Sequence, residues 1–354
     1  MSTQPRIYLD YNATAPLVPA ARDAMIAAMA DVGNPSSVHA EGRRMRDRVE
    51  RARKQVAALV GKSHEQVVFT SGGTEANVLG VMHLVRAAEQ RGLPKVIATT
   101  KIEHPSLRGP IEALLGWTIV QLPTDADVGV VAISLVNHEI GTIAQLSNTN
   151  ALIHIDAVQA AGKLPLGDIA AHSLAISAHK IGGPQGAGAL VTALDDGLPL
   201  IDGGHQERGR RAGTENALGI IGFGAAAAAI DLADWPRVAA LGDKLEAGLL
   251  AIPHTRLHGG GAPRVGGTIN VAFAGALGES IVMALDLAGI AVSTGAACTS
   301  GSIQPSHVLL GLGLSADEAR EGVRFSLGRG TTEREIDEVL RVLPGIVERA
   351  RRHR

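Results

Sequence analysis

Residues 151–192 read ALIHIDAVQAAGKLPLGDIAAHSLAISAHKIGGPQGAGALVT. Three short apolar runs lie in this stretch, at 152–155, 173–177 and 189–192. Runs of this length, rich in aliphatic and β-branched residues and bounded by Gly, Pro and polar residues, read as buried strands. The first two are far enough apart to hold a crossover connection. The third follows its neighbour too closely for one and is read as antiparallel. Working outward, the same pattern recurs at 67–70, 95–100, 118–122 and 130–136. Helical patterns occupy 19–30, 41–60, 75–88, 216–232 and 237–250. Alternation of this kind predicts an α/β architecture with a seven-stranded, mostly parallel sheet flanked by helices. Near residue 235 the pattern changes to helix, strands at 268–272 and 291–294, and helices at 280–288, 315–321 and 332–351. This predicts a smaller α+β C-terminal domain, with boundaries 14–234 for the large domain and 1–13 with 235–354 for the small one.

Composition narrows the function. The chain has 354 residues and a formal net charge of −2, so it carries no electrostatic footprint for nucleic acid or an anionic membrane surface. The arginines between 43 and 53 alternate with Asp47 and Glu50 at helical spacing, as on a solvated helix face. No uncharged apolar run is long enough to span a bilayer, and residues 1–10 lack a secretory pattern. The single cysteine, Cys298, excludes an internal disulfide and fits a reducing compartment. A cytoplasmic protein is expected, with no metal site.

Thr74, His104, Asn137, Asp156 and Lys180 each fall just beyond the C-terminal end of an expected strand. Open α/β sheets bind ligands at that edge. Ser71-Gly72-Gly73-Thr74-Glu75 follows a strand and opens a helix, where backbone N–H groups attract phosphate; the plainer reading is a strand–helix turn with Thr74 as N-cap. Lys180 is one of seven lysines among 33 Lys and Arg residues. It is a candidate amine nucleophile toward an aldehyde, or else a surface charge. Asp156 caps the next helix or pairs with a cationic ring nitrogen, with Gln159 one turn on. His104 precedes Pro105, which keeps its backbone extended; it either stacks on an aromatic group or is an ordinary surface residue of a loop. Arg324 sits in an apolar run and needs a carboxylate partner, from substrate or protein. Cys298 lies in TGAACTSGS (294–302), a small polar segment that reads as an exposed loop with a reactive thiol rather than as core.

Jointly, YLDYNATAP (8–16), NPSSVH (34–39), FTSGGTEAN (69–77), Glu103-His104, VNHEIG (136–141), HIDAVQAAGK (154–163), SAHKIGGPQGAG (177–188), ERGRRAGT (207–214), STGAACTS (293–300) and VRFSLGRG (323–330) resemble the cysteine desulfurases of the NifS/IscS type. These are class V members of the fold-type-I enzymes that use pyridoxal 5′-phosphate (PLP). The resemblance runs over nearly the whole chain. It implies that Lys180 carries PLP, Asp156 pairs with the ring nitrogen, Gln159 contacts the ring hydroxyl and His104 stacks on the ring. It implies that Gly73, Thr74, Ser177 and His179 hold the phosphate, while Thr214 reaches the phosphate of a neighbouring subunit in a homodimer. Arg324, Asn12, Asn137 and His138 are implied to bind the substrate, L-cysteine. Cys298 is implied to take its sulfur as a persulfide for an acceptor protein, in iron–sulfur cluster assembly, tRNA thiolation, cofactor synthesis or DNA phosphorothioation.

Three features depart from the family pattern. His138 stands where a second asparagine is usual. The stretches 122–130 and 142–153 are short, and 145–150 reads as a loop where a helix is usual. The chain stops soon after its last expected helix, without the extension many relatives use to dock a scaffold protein. The alternatives are another class V enzyme, such as a selenocysteine lyase or aminotransferase, and a degenerate scaffold protein.

Overall fold

The computed structural model describes residues 6–146, 149–194, 199–295, 298–299 and 302–352, with backbone alone for 298–299 and 302–303. The chain forms two compact units: Ala15–Leu135 with Ala144–Leu232, and Met1–Thr14 with Val136–Ile143 and Ala233–Arg354. It enters the smaller unit with β1 (Ile7–Tyr8) and then builds the larger one from α1 (Pro19–Met29), α2 (Ala40–Leu59), β2 (Val67–Thr70), α3 (Gly73–Gln90), β3 (Val96–Thr99), α4 (Pro105–Glu112), β4 (Thr118–Gln121), β5 (Val130–Ser134), β6 (Leu152–Asp156), β7 (Ser173–Ser177), β8 (Gly188–Thr192) and α5 (Ala217–Ala228).

The seven strands of the larger unit pair in the order β2-β8-β7-β6-β5-β3-β4. Every pairing is parallel except the two made by β8. This is the mostly parallel α/β sheet expected, with the closely spaced strand antiparallel. Every residue of β6, β7 and β8 is buried, which is why their sequences run apolar without alternation. Each fully buried aliphatic side chain, such as Ile155 or Leu174, contributes roughly 1.5–3 kcal/mol. Helix α3 lies close on the sheet because Gly80 has no side chain. A Cβ there would stand 2.3 Å from Cε1 of the buried His154 on β6, so any larger residue would displace the helix or the ring.

In the smaller unit follow α6 (Trp235–Leu250), β9 (Thr255–Leu257), β10 (Thr268–Phe273), α7 (Gly278–Leu287), β11 (Ile290–Ala291), β12 (Cys298–Thr299), β13 (Ser302–Ile303), α8 (His307–Gly311), α9 (Ala316–Arg320), β14 (Gly322–Ser326) and α10 (Glu333–Arg352). Strands β14, β10 and β9 form an antiparallel sheet, and β1 pairs in parallel with β11.

Among the differences from the sequence-based expectation, three concern the candidate site residues and the domain boundary. Helix α4 was not anticipated: Pro105 occupies its first turn, where a missing N–H and a fixed φ favour helix entry. Arg324 lies on the regular strand β14, which the apolar run hid. Val136–Ile143 belongs to the smaller unit and not to the large domain: Thr142 bridges Arg264, and Val265 N–H donates to Gly141 O at 2.9 Å. Among the described residues, stretches 122–129 and 142–151 hold no helix, and no single helix is long and apolar enough to cross a membrane.

Candidate active site

In the larger unit, three chain reversals meet at the C-terminal edge of the parallel sheet. The first joins β2 to α3. The position before the helix is Gly72, not Thr74, and no side chain caps it, so the first-turn N–H groups keep their capacity to bind an anion. Thr74 lies inside that first turn. Gly73 allows the turn to approach its neighbours: a Cβ would sit 2.8 Å from Val158 Cγ2 and 3.4 Å from Ser177 Cβ. Glu75 accepts from Ser71 N–H at 2.7 Å and pairs with Arg211 at 2.9 Å.

The second reversal follows β6. Asp156, its last residue, is 5% exposed. Its Oδ1 accepts from Val158 N–H at 2.9 Å and its Oδ2 from Asn77 Nδ2 at 2.8 Å. Burial raises the proton affinity of this carboxyl; the two hydrogen bonds and the charge of Lys180 oppose that shift. Gln159 is buried and accepts from Lys163 Nζ at 3.1 Å.

The third reversal follows β7, where buried Ser177 leads into the single turn Ala178–Lys180. His179 and Lys180 are half-buried. Burial and then the neighbouring Lys180 charge push the His179 imidazole down to about 4, so it is neutral at physiological pH. Thr214 is exposed. His104 caps α4 with an extended backbone, and its Nδ1 accepts from Ser106 N–H at 3.1 Å. Next to it Glu103 is buried. Burial, resisted by hydrogen bonds from Ser134 and Thr100, pushes its carboxyl up to about 7.

The other expected residues meet in the smaller unit. Asn12 Nδ2 donates to His138 O at 3.1 Å and to Thr268 Oγ1 at 3.0 Å. Asn137 Oδ1 accepts from the N–H groups of Glu139 and Ile140 at 2.9 and 3.1 Å, closing the turn that presents His138. The His138 ring stacks on His307 with centroids 6.1 Å apart. Arg324 donates through Nη2 to Asp10 Oδ1 at 2.7 Å and through Nη1 to His138 O at 3.1 Å. Its Nε is buried and has no acceptor among the described residues, the state of a guanidinium still able to take a carboxylate. Cys298 starts β12 and pairs across with Ile303. Its side chain, and residues 296–297 and 300–301, lie outside the described residues.

Among the buried polar residues to which the sequence assigned no role are Asn77, Glu103, Glu139 and Glu207. Glu139 accepts from Ser306 Oγ at 2.7 Å and from Asn270 Nδ2 at 3.3 Å. Burial pushes its carboxyl up to about 7, against the pull of Ser306 and the Arg324 charge. A carboxyl with raised folded-state affinity favours folding below its unfolded value, and that contribution disappears as pH rises through the folded value. Glu139→Gln should therefore gain on the wild type by about 2 kcal/mol between pH 5 and pH 8, at 1.36 kcal/mol per unit. Urea titrations at both pH values test this; an equal difference at the two would show that Glu139 titrates normally.

The donor set of the larger unit suits PLP. An uncapped helix N-terminus with Ser177 beside it matches a phosphate. Buried Asp156 matches a cationic ring nitrogen, and Lys180 is near enough to act on the Asp156 charge. Comparison with known proteins agrees. The aminotransferase class-V family model matches residues 7–129 and 124–339. The chain is similar to the cysteine desulfurase NifS of Azotobacter vinelandii, at 40% identity over 98% of this chain and 93% of the relative. It is 41% identical to a cysteine desulfurase of Cereibacter sphaeroides, over 98% and 97%. A solved NifS-like protein superposes with a TM-score of 0.86 at 30% identity, over 97% of this chain and 99% of the other. Enzymes of this class depend on PLP. On a match that spans nearly its whole length, the chain belongs to the class-V aminotransferases, with the NifS/IscS-type cysteine desulfurases.

Proposed function

We propose that the protein converts L-cysteine to L-alanine and takes the released sulfur onto Cys298 as a persulfide. The observation that carries this reading is the convergence of the α3 N-terminus, Asp156 and the Ser177–Lys180 turn at one sheet edge, in a chain whose single cysteine lies in the segment matching the desulfurases. Gly73, Thr74, Ser177 and His179 hold the cofactor phosphate, and neutral His179 donates without adding charge. Asp156 keeps the ring nitrogen cationic, Gln159 addresses the ring hydroxyl, and His104 covers the ring face. PLP when bound supplies an electron sink for bonds at the substrate α-carbon. Lys180 anchors the cofactor and moves protons at the substrate.

Arg324 takes the substrate carboxylate, with Asn12 and Asn137 shaping the turn that presents His138. A Cys298 thiolate attacks the substrate sulfur. The new S–S bond forms as the C–S bond breaks, the bonding pair stays on the substrate carbon, and a proton completes the alanine methyl group. Cysteine plus enzyme thiol thus balance alanine plus enzyme persulfide, a reversible sulfur store. The exposure of Thr214 is consistent with its serving a neighbouring subunit in a homodimer. The persulfide passes to an acceptor protein, and a cytoplasmic location fits the single cysteine.

The test is to incubate PLP-loaded protein with L-cysteine and dithiothreitol and to measure sulfide and alanine beside a Cys298→Ala control. Equal amounts of both products, lost in the control, are expected. Products formed at the wild-type rate by the control would refute the persulfide route, and no products from wild type would refute the desulfurase reading.

A further inference from the structure

The groups that this reading sets around the cofactor are joined behind the site by a buried hydrogen-bond chain. Asn77 of α3 is fully buried. Its two Nδ2 protons go to Asp156 Oδ2 at 2.8 Å and to Ser106 Oγ at 2.9 Å. Its Oδ1 faces His154 Nε2 at 3.1 Å, and His154 Nδ1 faces Ser173 Oγ at 2.7 Å. Ser106 Oγ also lies 2.8 Å from His104 Nδ1. The chain therefore runs Ser173–His154–Asn77 and then divides to Asp156 and, through Ser106, to His104.

Proton counting gives the chain one direction. A carboxylate oxygen accepts only, so the Asn77 edge facing Asp156 is the amide NH₂, and Oδ1 points at His154. His154 Nε2 therefore donates, and its Nδ1 accepts from Ser173. Ser106 Oγ already accepts from Asn77, which leaves its own proton for His104 Nδ1. That nitrogen also accepts the Ser106 N–H at 3.1 Å. A ring nitrogen with two donors on it carries no proton, so the imidazole proton is on Nε2.

We infer that Asn77 is a positioning residue that couples Asp156 to His104 and holds His104 as the neutral imidazole with its proton on Nε2. His104 then offers a donor, not an acceptor, at Nε2, the nitrogen not engaged by Ser106. The same residue orients the carboxylate assigned to the cofactor nitrogen. Nothing in the local sequence of α3 demands asparagine there; its neighbours Ala76 and Leu79 are core residues.

The inference rests on the proposed cofactor site, and the test separates the two. Full-length protein labelled with ¹⁵N-histidine is measured by NMR with and without PLP, the His104 signals being assigned with His104→Gln. An unprotonated Nδ1 and a protonated Nε2 at pH 8 are expected in both states. Asn77→Ala should release Ser106, mix the two tautomers, and weaken PLP binding about tenfold, the loss of one hydrogen bond to a charged group. Ser106→Ala, which keeps the backbone donor but removes the hydroxyl donor, should move the His104 signals toward a mixture of tautomers while leaving PLP affinity within about twofold; it decides the matter if Asn77→Ala does not fold. A residue that merely fills space would lower the melting temperature without moving these signals. A proton on Nδ1 in the wild type, or signals unmoved in both variants, would overturn the inference. Loss of the desulfurase reading alone would leave the tautomer result standing.

Discussion

Replacing Lys180 with alanine is expected to lower the rate of alanine formation by roughly 10³-fold or more, the scale of losing a covalent anchor and a proton carrier together. The fold should survive. Lys180 is half-buried in a one-turn segment after β7, and removing a side chain of this kind away from the core changes stability by about 0.5 kcal/mol. Asp156 would lose the favourable charge of Lys180, so its carboxyl should take up a proton more readily. The direct measurement is borohydride reduction of PLP-loaded wild type followed by peptide mass spectrometry. A phosphopyridoxyl group on the peptide containing Lys180, absent from the variant, is the expected result. The same group on any of the six other lysines, or unchanged turnover in the variant, would remove Lys180 from its assigned role.

The second large effect lies away from the sheet edge. Glu207 is 6% exposed and adopts a left-handed backbone, with φ 49° and ψ 34°. It is held there by a bidentate pair with Arg53, at 2.6 and 2.8 Å, and by the Phe69 N–H at 2.8 Å. Arg53 also donates to Val67 O at 2.9 Å and stacks over the Phe69 ring at 4.6 Å. Breaking one side of a buried ion pair leaves the other charge desolvated and costs about 3–5 kcal/mol. Glu207→Ala should destabilise by that amount in urea titration. The double variant Arg53→Met with Glu207→Ala should cost clearly less than the sum of the single changes, because the stranded charge is gone. Strict additivity would mean that the two do not act as a pair. The turn that Glu207 anchors leads within seven residues to Thr214, so under the proposed homodimer the variant should also weaken self-association in analytical ultracentrifugation.

Much of the architecture was legible because its signals are local. Uninterrupted aliphatic runs such as 152–155 mark strands buried on both faces, and the short gap before 189–192 excludes a crossover. Candidate site residues at or just past strand ends, above all Asp156 and Lys180, pointed to the C-terminal edge of the sheet. Helix α4 was hidden because a proline reads as a breaker until its place in the first turn is known. The position of Val136–Ile143 was hidden because its partners, Arg264 and Val265, lie more than a hundred residues away.

The sequence by itself thus determined the α/β class, the strand pattern of the larger unit and the family, and it singled out the candidate site residues, since periodicity and motif spacing are properties of neighbouring positions. The tertiary structure alone decided which buried polar groups support them. Asn77, Glu103, Glu139 and Glu207 look like ordinary polar residues in the chain. Burial is what shifts the proton affinity of Glu103 and Glu139, and burial is what makes each hydrogen bond of Asn77 and Glu207 costly to lose. Their roles depend on contacts between segments far apart in sequence, such as Asn77 with Asp156 and Arg53 with Glu207, and no local pattern encodes those.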